Sequence, residues 1–193
     1  MNAGPQTDEQ LMASLGQGDQ EALAELVRRY QNDLFRFCLH YVGDVERAKE
    51  MAQETFIRVY VARGRFDSAR KFRPWVLCIA RNLCLNELKR KRAVPMESLE
   101  EYASSAREES GELLRSAADG PDQRLMTSER RELLAKLLDG LDEEAREIVV
   151  LRFFQRMSAR DIAEVVSSTE GAVRTRLHRI LRSLRDKYEA SRD

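Results

Sequence analysis

The sequence predicts an all-α protein: two small helical domains joined by an acidic flexible linker, with a helix-turn-helix in the C-terminal domain. Three observations carry this. Gly (9) and Pro (4) are scarce among 193 residues, and both disfavour helix interiors. Apolar residues recur at helical spacing through residues 8–92 and again from 142 to 190. Residues 93–121 between them lack sustained periodicity and are rich in Glu, Ser, Ala and Arg, a linker composition. The expected boundaries are 1–92, 93–124 and 125–193.

The elements follow in order. Residues 8–32 are helical, with Leu11, Leu15, Leu23, Leu26, Val27 and Tyr30 apolar, and Gly16-Gln-Gly-Asp19 splits them in two. Residues 33–41 continue as a strongly apolar helix. Gly43 ends it, and Asp44 caps the next helix, which runs to Ala62. Residues 64–73 form a basic loop. Pro74 suits the first position of a helix that ends near Arg92. Weak helix is expected over 108–117. The second domain offers helices over 122–138, 142–154, 158–166 and 169–190.

The net charge of zero hides a pattern. Residues 1–57 carry 5 basic and 10 acidic side chains, 58–92 carry 11 and 2, 93–124 carry 3 and 8, and 125–193 carry 14 and 13. Residues 172–187 alone hold 6 basic and one acidic. Two positive patches flank an acidic middle, which points to two nucleic-acid contacts. No apolar run reaches the ~20 residues of a membrane span, and residues 1–19 have no signal-peptide pattern. Three cysteines (38, 78, 84) without a CxxC point to reduced thiols in a cytoplasm.

The helix-turn-helix spans residues 158–187. Ser158 and Asp161 have capping-box spacing ahead of Ile162, Ala163, Val165 and Val166. A polar turn, Ser167-Ser-Thr169, leads into a helix whose Val173, Leu177, Ile180, Leu181 and Leu184 form a packing stripe. A short helix, a tight turn and a longer basic helix is the geometry that seats a recognition helix in the major groove. Thr169, Arg174, Thr175, Arg176, His178 and Arg179 lie near its N-terminus, where bases are reached, and arginine suits guanine. A plain amphipathic surface helix is the competing reading.

The helix over 44–62 puts Ala48, Met51, Ala52, Thr55, Phe56 and Val59 on one face and Glu46, Glu50, Gln53, Glu54, Ile57 and Val61 on the other. Acidic residues interleaved with apolar ones suit docking of a basic-apolar helical partner; scattered exposed hydrophobics are the bland alternative. The following loop, with Arg65, Phe66, Ser68, Arg70, Lys71 and Phe72, joins basic charge to aromatics, a pattern for unstacked bases. Phe72 and Trp75 fit a core equally well.

These segments resemble bacterial sigma factors. Residues 50–60 (EMAQETFIRVY) look like the polymerase-binding segment, 72–92 like the promoter-melting and −10-reading segment, and 144–154 with 158–185 like the −35-reading domain. Two such domains and one short linker resemble the extracytoplasmic-function (ECF) group. The resemblance implies that Glu50, Gln53, Glu54, Ile57 and Val61 meet the β′ clamp of core RNA polymerase. It implies that the loop over 64–71, with Arg65, Phe66, Ser68, Arg70 and Lys71, holds a flipped −10 base, and that Arg81, Asn82 and Asn86 contact that strand. Thr169, Arg174, Thr175, Arg176, His178 and Arg179 would read the −35 duplex. Further implied partners are the β flap and an anti-sigma protein; no cofactor, metal, small-molecule substrate or membrane insertion is implied. The family often has glycine where Arg156 and Ser167 stand, which would relieve a positive-φ turn. Arg70 and Lys71 replace small polar residues often seen there.

Two other classes compete. A stand-alone helix-turn-helix regulator with a helical sensor domain explains the C-terminal half but leaves the acidic-apolar face and the basic loop unused. An enzyme is disfavoured: only His40 and His178 exist, and no Gly-rich phosphate loop or carboxylate–His constellation is present.

Overall fold

The computed structural model describes residues 6–92 and 141–190. No strand occurs among them. The chain divides into two compact units, Met1–Ser110 and Gly111–Asp193. The expected linker over 93–124, its weak helix over 108–117 and the helix over 122–138 lie outside the described residues.

In the first unit, α1 (Asp8–Gly16) starts at a capping box: the Thr7 hydroxyl accepts from the Gln10 N–H at 3.3 Å and the Gln10 side chain accepts from the Thr7 N–H at 2.9 Å. It buries Leu11, Met12 and Leu15. The expected break follows, with Gly18 at φ +102°, a conformation few L side chains adopt. Asp19 then caps α2 (Gln20–Val42). Ala22, Leu26, Tyr30, Leu34, Phe37, Cys38, Leu39 and Val42 form its buried stripe. Gly43, at φ +68°, ends it and donates to the Leu39 carbonyl at 2.9 Å.

Asp44 accepts from the Arg47 N–H at 2.7 Å and starts α3 (Val45–Ala62). Ala48, Ala52, Thr55 and Val59 are buried, while Met51 and Phe56 are only half-buried. The buried Thr55 hydroxyl donates to the Met51 carbonyl at 2.7 Å, so its burial strands no donor at that position. A 3₁₀ turn (Arg63–Arg65) and residues 66–71 lead into α4 (Phe72–Arg92). The helix begins two residues before Pro74, and the loop is correspondingly shorter than the expected 64–73. Pro74 still falls within the first turn, where its absent N–H leaves no bond unmade. α4 packs on α1, α2 and α3.

In the second unit, Asp142 caps α5 (Glu143–Val149), which runs on into a π-helical turn (Val150–Phe154). Arg156 follows at φ +52°. Ser158 accepts from the Asp161 N–H at 3.1 Å and donates to the Asp161 carboxylate at 2.7 Å, opening α6 (Ala159–Val165). Ser167, at φ +55°, occupies the helix-ending position usually given to glycine, and the Ser168 N–H bonds the Ala163 carbonyl at 2.9 Å. α7 (Glu170–Ala190) packs on α5 and α6 through Val173 and Ile180. Leu181, expected in the packing stripe, is instead 48% exposed. It lies one residue, about 100° of helix rotation, past Ile180 and so falls outside the contact.

Candidate nucleic-acid interface

α3 separates its two faces cleanly. Opposite the buried Ala48–Ala52–Thr55–Val59 stripe lie Glu50, Gln53, Ile57 and Val61, all exposed, with Glu54 half-exposed beside them. Ile57 is 57% and Val61 73% exposed, high for β-branched side chains in a packed unit. The carboxylates pair along their own helix: Glu46 with Lys49 at 2.6 Å, Glu50 with Arg47 at 2.7 Å, Glu54 with Arg58 at 3.0 Å. Such solvated pairs hold little energy, so they exchange readily for a basic partner.

The segment after α3 packs on aromatics. Phe66 lies 4.9 Å from Trp75 and 6.1 Å from Phe72, ring centre to ring centre, and Tyr30 meets Phe72 edge-on at 5.1 Å. Phe72 is fully buried, while Phe66 and Trp75 are half-buried. Asp67 folds the next residues into a tight turn, accepting from the Ala69 N–H on its carboxylate and from the Arg70 N–H on its carbonyl, both at 2.9 Å. Arg65, Ser68, Arg70 and Lys71 are thereby held outward and exposed. On α4, Trp75, Cys78, Asn82 and Asn86 follow one another at helical spacing along one face. The Asn82 amide donates to the Cys78 sulfur at 3.8 Å. Asn82 and Asn86 are exposed and Arg81 is half-buried. The Phe66–Trp75 contact brings the loop to the N-terminal end of this polar stripe.

In the second unit, Thr169 serves as the cap of α7, its hydroxyl accepting from the Ala172 N–H at 3.2 Å. Arg174, Thr175, His178 and Arg179 are exposed on the following turns. Arg174 pairs with Glu170 at 2.5 Å on the same helix. Arg176 is half-buried and ion-paired across to Glu144 on α5. An open groove between the start of α5 and α7 is lined by Asp142, Ala145, Thr175, Arg176, Arg179 and Lys187.

Comparison with known proteins decides what these surfaces belong to. The sigma-70 region 2 model matches residues 26–94, and the sigma-70 region 4 model matches residues 131–184. The ECF RNA polymerase sigma factor SigW of Bacillus subtilis is 30% identical over 170 residues, 87% of this chain and 89% of that protein. The chain belongs to the ECF group of RNA polymerase sigma factors. RNA polymerase sigma-H factor of Pseudomonas aeruginosa is likewise 30% identical over 172 residues, 89% of each chain. The fold is shared with CnrH, solved with the cytosolic domain of CnrY, at a TM-score of 0.64 and 23% identity over 95% of this chain and 97% of that one. It is also shared with sigma factor RpoE of Bartonella quintana, solved with the anti-sigma factor NepR, at a TM-score of 0.59 and 16% identity, covering 86% of this chain and 96% of that one.

As an ECF sigma factor the protein binds core RNA polymerase and directs initiation at promoters. The stand-alone regulator accounts for the second unit only and is not favoured. Three features of this sigma factor had no sequence signal. The π turn breaks no apolar pattern. The Glu144–Arg176 pair joins residues with no common motif. The contacts of Asp8 and Glu9 on α1 reach other helices, whereas their positions suggest only favourable first-turn acids.

Proposed function

We propose a division of this initiation function among named surfaces. Residues 1–92 form the domain that docks on the clamp and opens the −10 element, 93–124 the linker, and 125–193 the domain that reads the −35 element. Glu50, Gln53, Glu54, Ile57 and Val61 on α3 meet the β′ clamp. The observation that carries this is the solvent exposure of Ile57 and Val61 amid an acidic face; that surface is costly unless a basic-apolar partner covers it.

The turn residues Arg65, Ser68, Arg70 and Lys71 surround a displaced −10 base, and Arg81, Asn82 and Asn86 follow the same strand along α4. Phe66 supports this turn from inside, its ring engaged with Trp75. Thr169, Arg174, Thr175, Arg176, His178 and Arg179 read the −35 duplex. The β flap holds the C-terminal domain, and an anti-sigma protein covers these surfaces when the factor is silent. The protein acts as a binding subunit in the cytoplasm, without catalysis or a small-molecule substrate. No helix among the described residues is long and apolar enough to cross a membrane.

Reconstituted transcription with core polymerase on a genomic library tests the reading. Defined start sites sharing −10 and −35 elements are expected. Sequence-specific DNA binding with no polymerase association would overturn it. Replacing Gln53 and Glu54 with alanine should weaken core association and leave −35 duplex binding intact.

A further inference from the structure

α1 contacts the chain on either side of the polar turn. At its C-terminus, a Cβ on Gly16 would stand 3.6 Å from the Arg63 carbonyl, where the connection from α3 begins. At its N-terminus, the Glu9 carboxylate accepts from the Phe72 N–H at 3.0 Å, where α4 begins. Phe72 is the first residue of α4, so this N–H is one of the donors a helix leaves without a partner of its own. Pro74, two residues on, has no N–H to offer. The carboxylate that closes the helix start is 63 residues away in sequence.

Glu9 is itself firmly placed. Its neighbour Asp8 accepts from the Tyr30 hydroxyl and from Arg29 at 2.7 Å, both on α2. The Tyr30 ring then meets Phe72 edge-on. A closed circuit therefore runs from α1 through α2 to the first residue of α4 and back. Phe66 rests on the Phe72–Trp75 pair inside this circuit. Movement of Phe72 would shift the turn over 66–71 and the Trp75–Asn82 stripe together.

We infer that α1 braces the −10-reading turn and that Glu9 is a positioning residue for −10 recognition, acting through the Phe72 N–H. The inference rests on the assignment of that turn and stripe to the −10 element. Glu9 touches no DNA in this scheme. It fixes where the turn and the start of α4 stand when a displaced base arrives, as preorganised sites require.

The test uses the full chain bound to core polymerase, as wild type, Glu9→Ala and Glu9→Gln. The substrate is a promoter identified by reconstituted transcription, in three forms: intact, with one −10 base changed, and with one −35 base changed. Discrimination is the ratio of open-complex formation rates between the intact and altered forms. Glu9→Ala is expected to lower −10 discrimination about fivefold, the size of one hydrogen bond, with −35 discrimination and core affinity unchanged. Glu9→Gln keeps an acceptor oxygen and is expected to restore most of it. Unchanged −10 discrimination in Glu9→Ala, or equal loss at both elements, overturns the inference. If Glu9→Ala does not fold, Glu9→Asp, one methylene shorter, replaces it with the same expectation and the same overturning results. A wild-type complex with no −10 discrimination would instead sink the −10 assignment, a separate result.

Discussion

Arg176, on the second turn of α7, is ion-paired to Glu144 in the first turn of α5. A side chain proposed to read the −35 duplex is thus held by an acid from another helix. The pair is partly solvated, so its contribution to stability is small, below about 1 kcal/mol. On that proposal its effect on DNA is larger, because Glu144 places a negative charge where phosphates would approach. Glu144→Gln is expected to leave folding nearly unchanged and to raise affinity for a −35 duplex a few-fold in fluorescence anisotropy at fixed salt. A fall in affinity would mean that the pair presents Arg176 in its reading pose.

Arg156 and Ser167 both sit in the left-handed region, at φ +52° and +55°. L side chains pay roughly 1–2 kcal/mol there, and glycine does not. Each of Arg156→Gly and Ser167→Gly should therefore stabilise the second unit by about 0.5–1 kcal/mol, less than the full relief because glycine gains freedom when unfolded. Hydrogen exchange of the α5–α7 amides should slow, with α1–α4 unaffected. Faster exchange in α5–α7 would show that the side chains hold these turns by contacts that outweigh the strain.

Much of this architecture was legible because its signals are local. The Gly16–Asp19 break, the Gly43 stop, the Asp44 cap and the two-faced pattern of α3 each need only residues within one or two turns. The turns at Arg156 and Ser167 were legible only through the glycines the family often has there, since neither residue marks a positive-φ position by itself. The start of α4 was not legible, because a glutamate from the far end of the unit accepts from Phe72, while the local signal was Pro74. Phe66 shows the same limit. A basic aromatic loop suggests a base contact, and nothing in its spacing says that the half-buried Phe66 ring also packs on Trp75. Spacing locates a surface; it does not say which side chains are spent on holding it.

Tyr30 offers a pH-dependent test of the α1–α2 junction. Burial first, and then the hydrogen bond to Asp8, push its phenol well above its ordinary value. A raised phenol keeps its proton in the fold after the unfolded chain has lost it. The stabilisation is therefore complete below about pH 10, the unfolded value, and fades as pH rises toward the folded one. Tyr30→Phe should cost about 1–2 kcal/mol at pH 7 by removing a bond to a charged group. The gap between the two proteins should narrow by up to about 1.4 kcal/mol for each pH unit above 10. Urea unfolding followed by the single tryptophan, Trp75, reports on this unit alone. A gap that stays constant to pH 11 would contradict the assigned cause.

The three cysteines differ in a way that labels the face of α4 proposed to meet the −10 strand. Cys38 and Cys84 are fully buried, and the Cys84 sulfur beside it, together with burial, pushes the Cys38 thiol up. A maleimide cannot reach a buried sulfur, so both thiols should react only as the unit opens. Cys78 is half-buried on the exposed stripe of α4, with the Asn82 amide donating to its sulfur. Native protein should take up one maleimide per chain at Cys78, with the other two reacting only in denaturant. The adduct covers the stripe between Trp75 and Asn82, so labelled protein bound to core should open promoters slowly while its −35 duplex affinity is kept. A Cys78→Ser chain treated identically should open promoters at the unlabelled rate. Equal opening by labelled and unlabelled wild type would remove this face of α4 from the path of the −10 strand, because a bulky group there could not be ignored by DNA passing over Asn82.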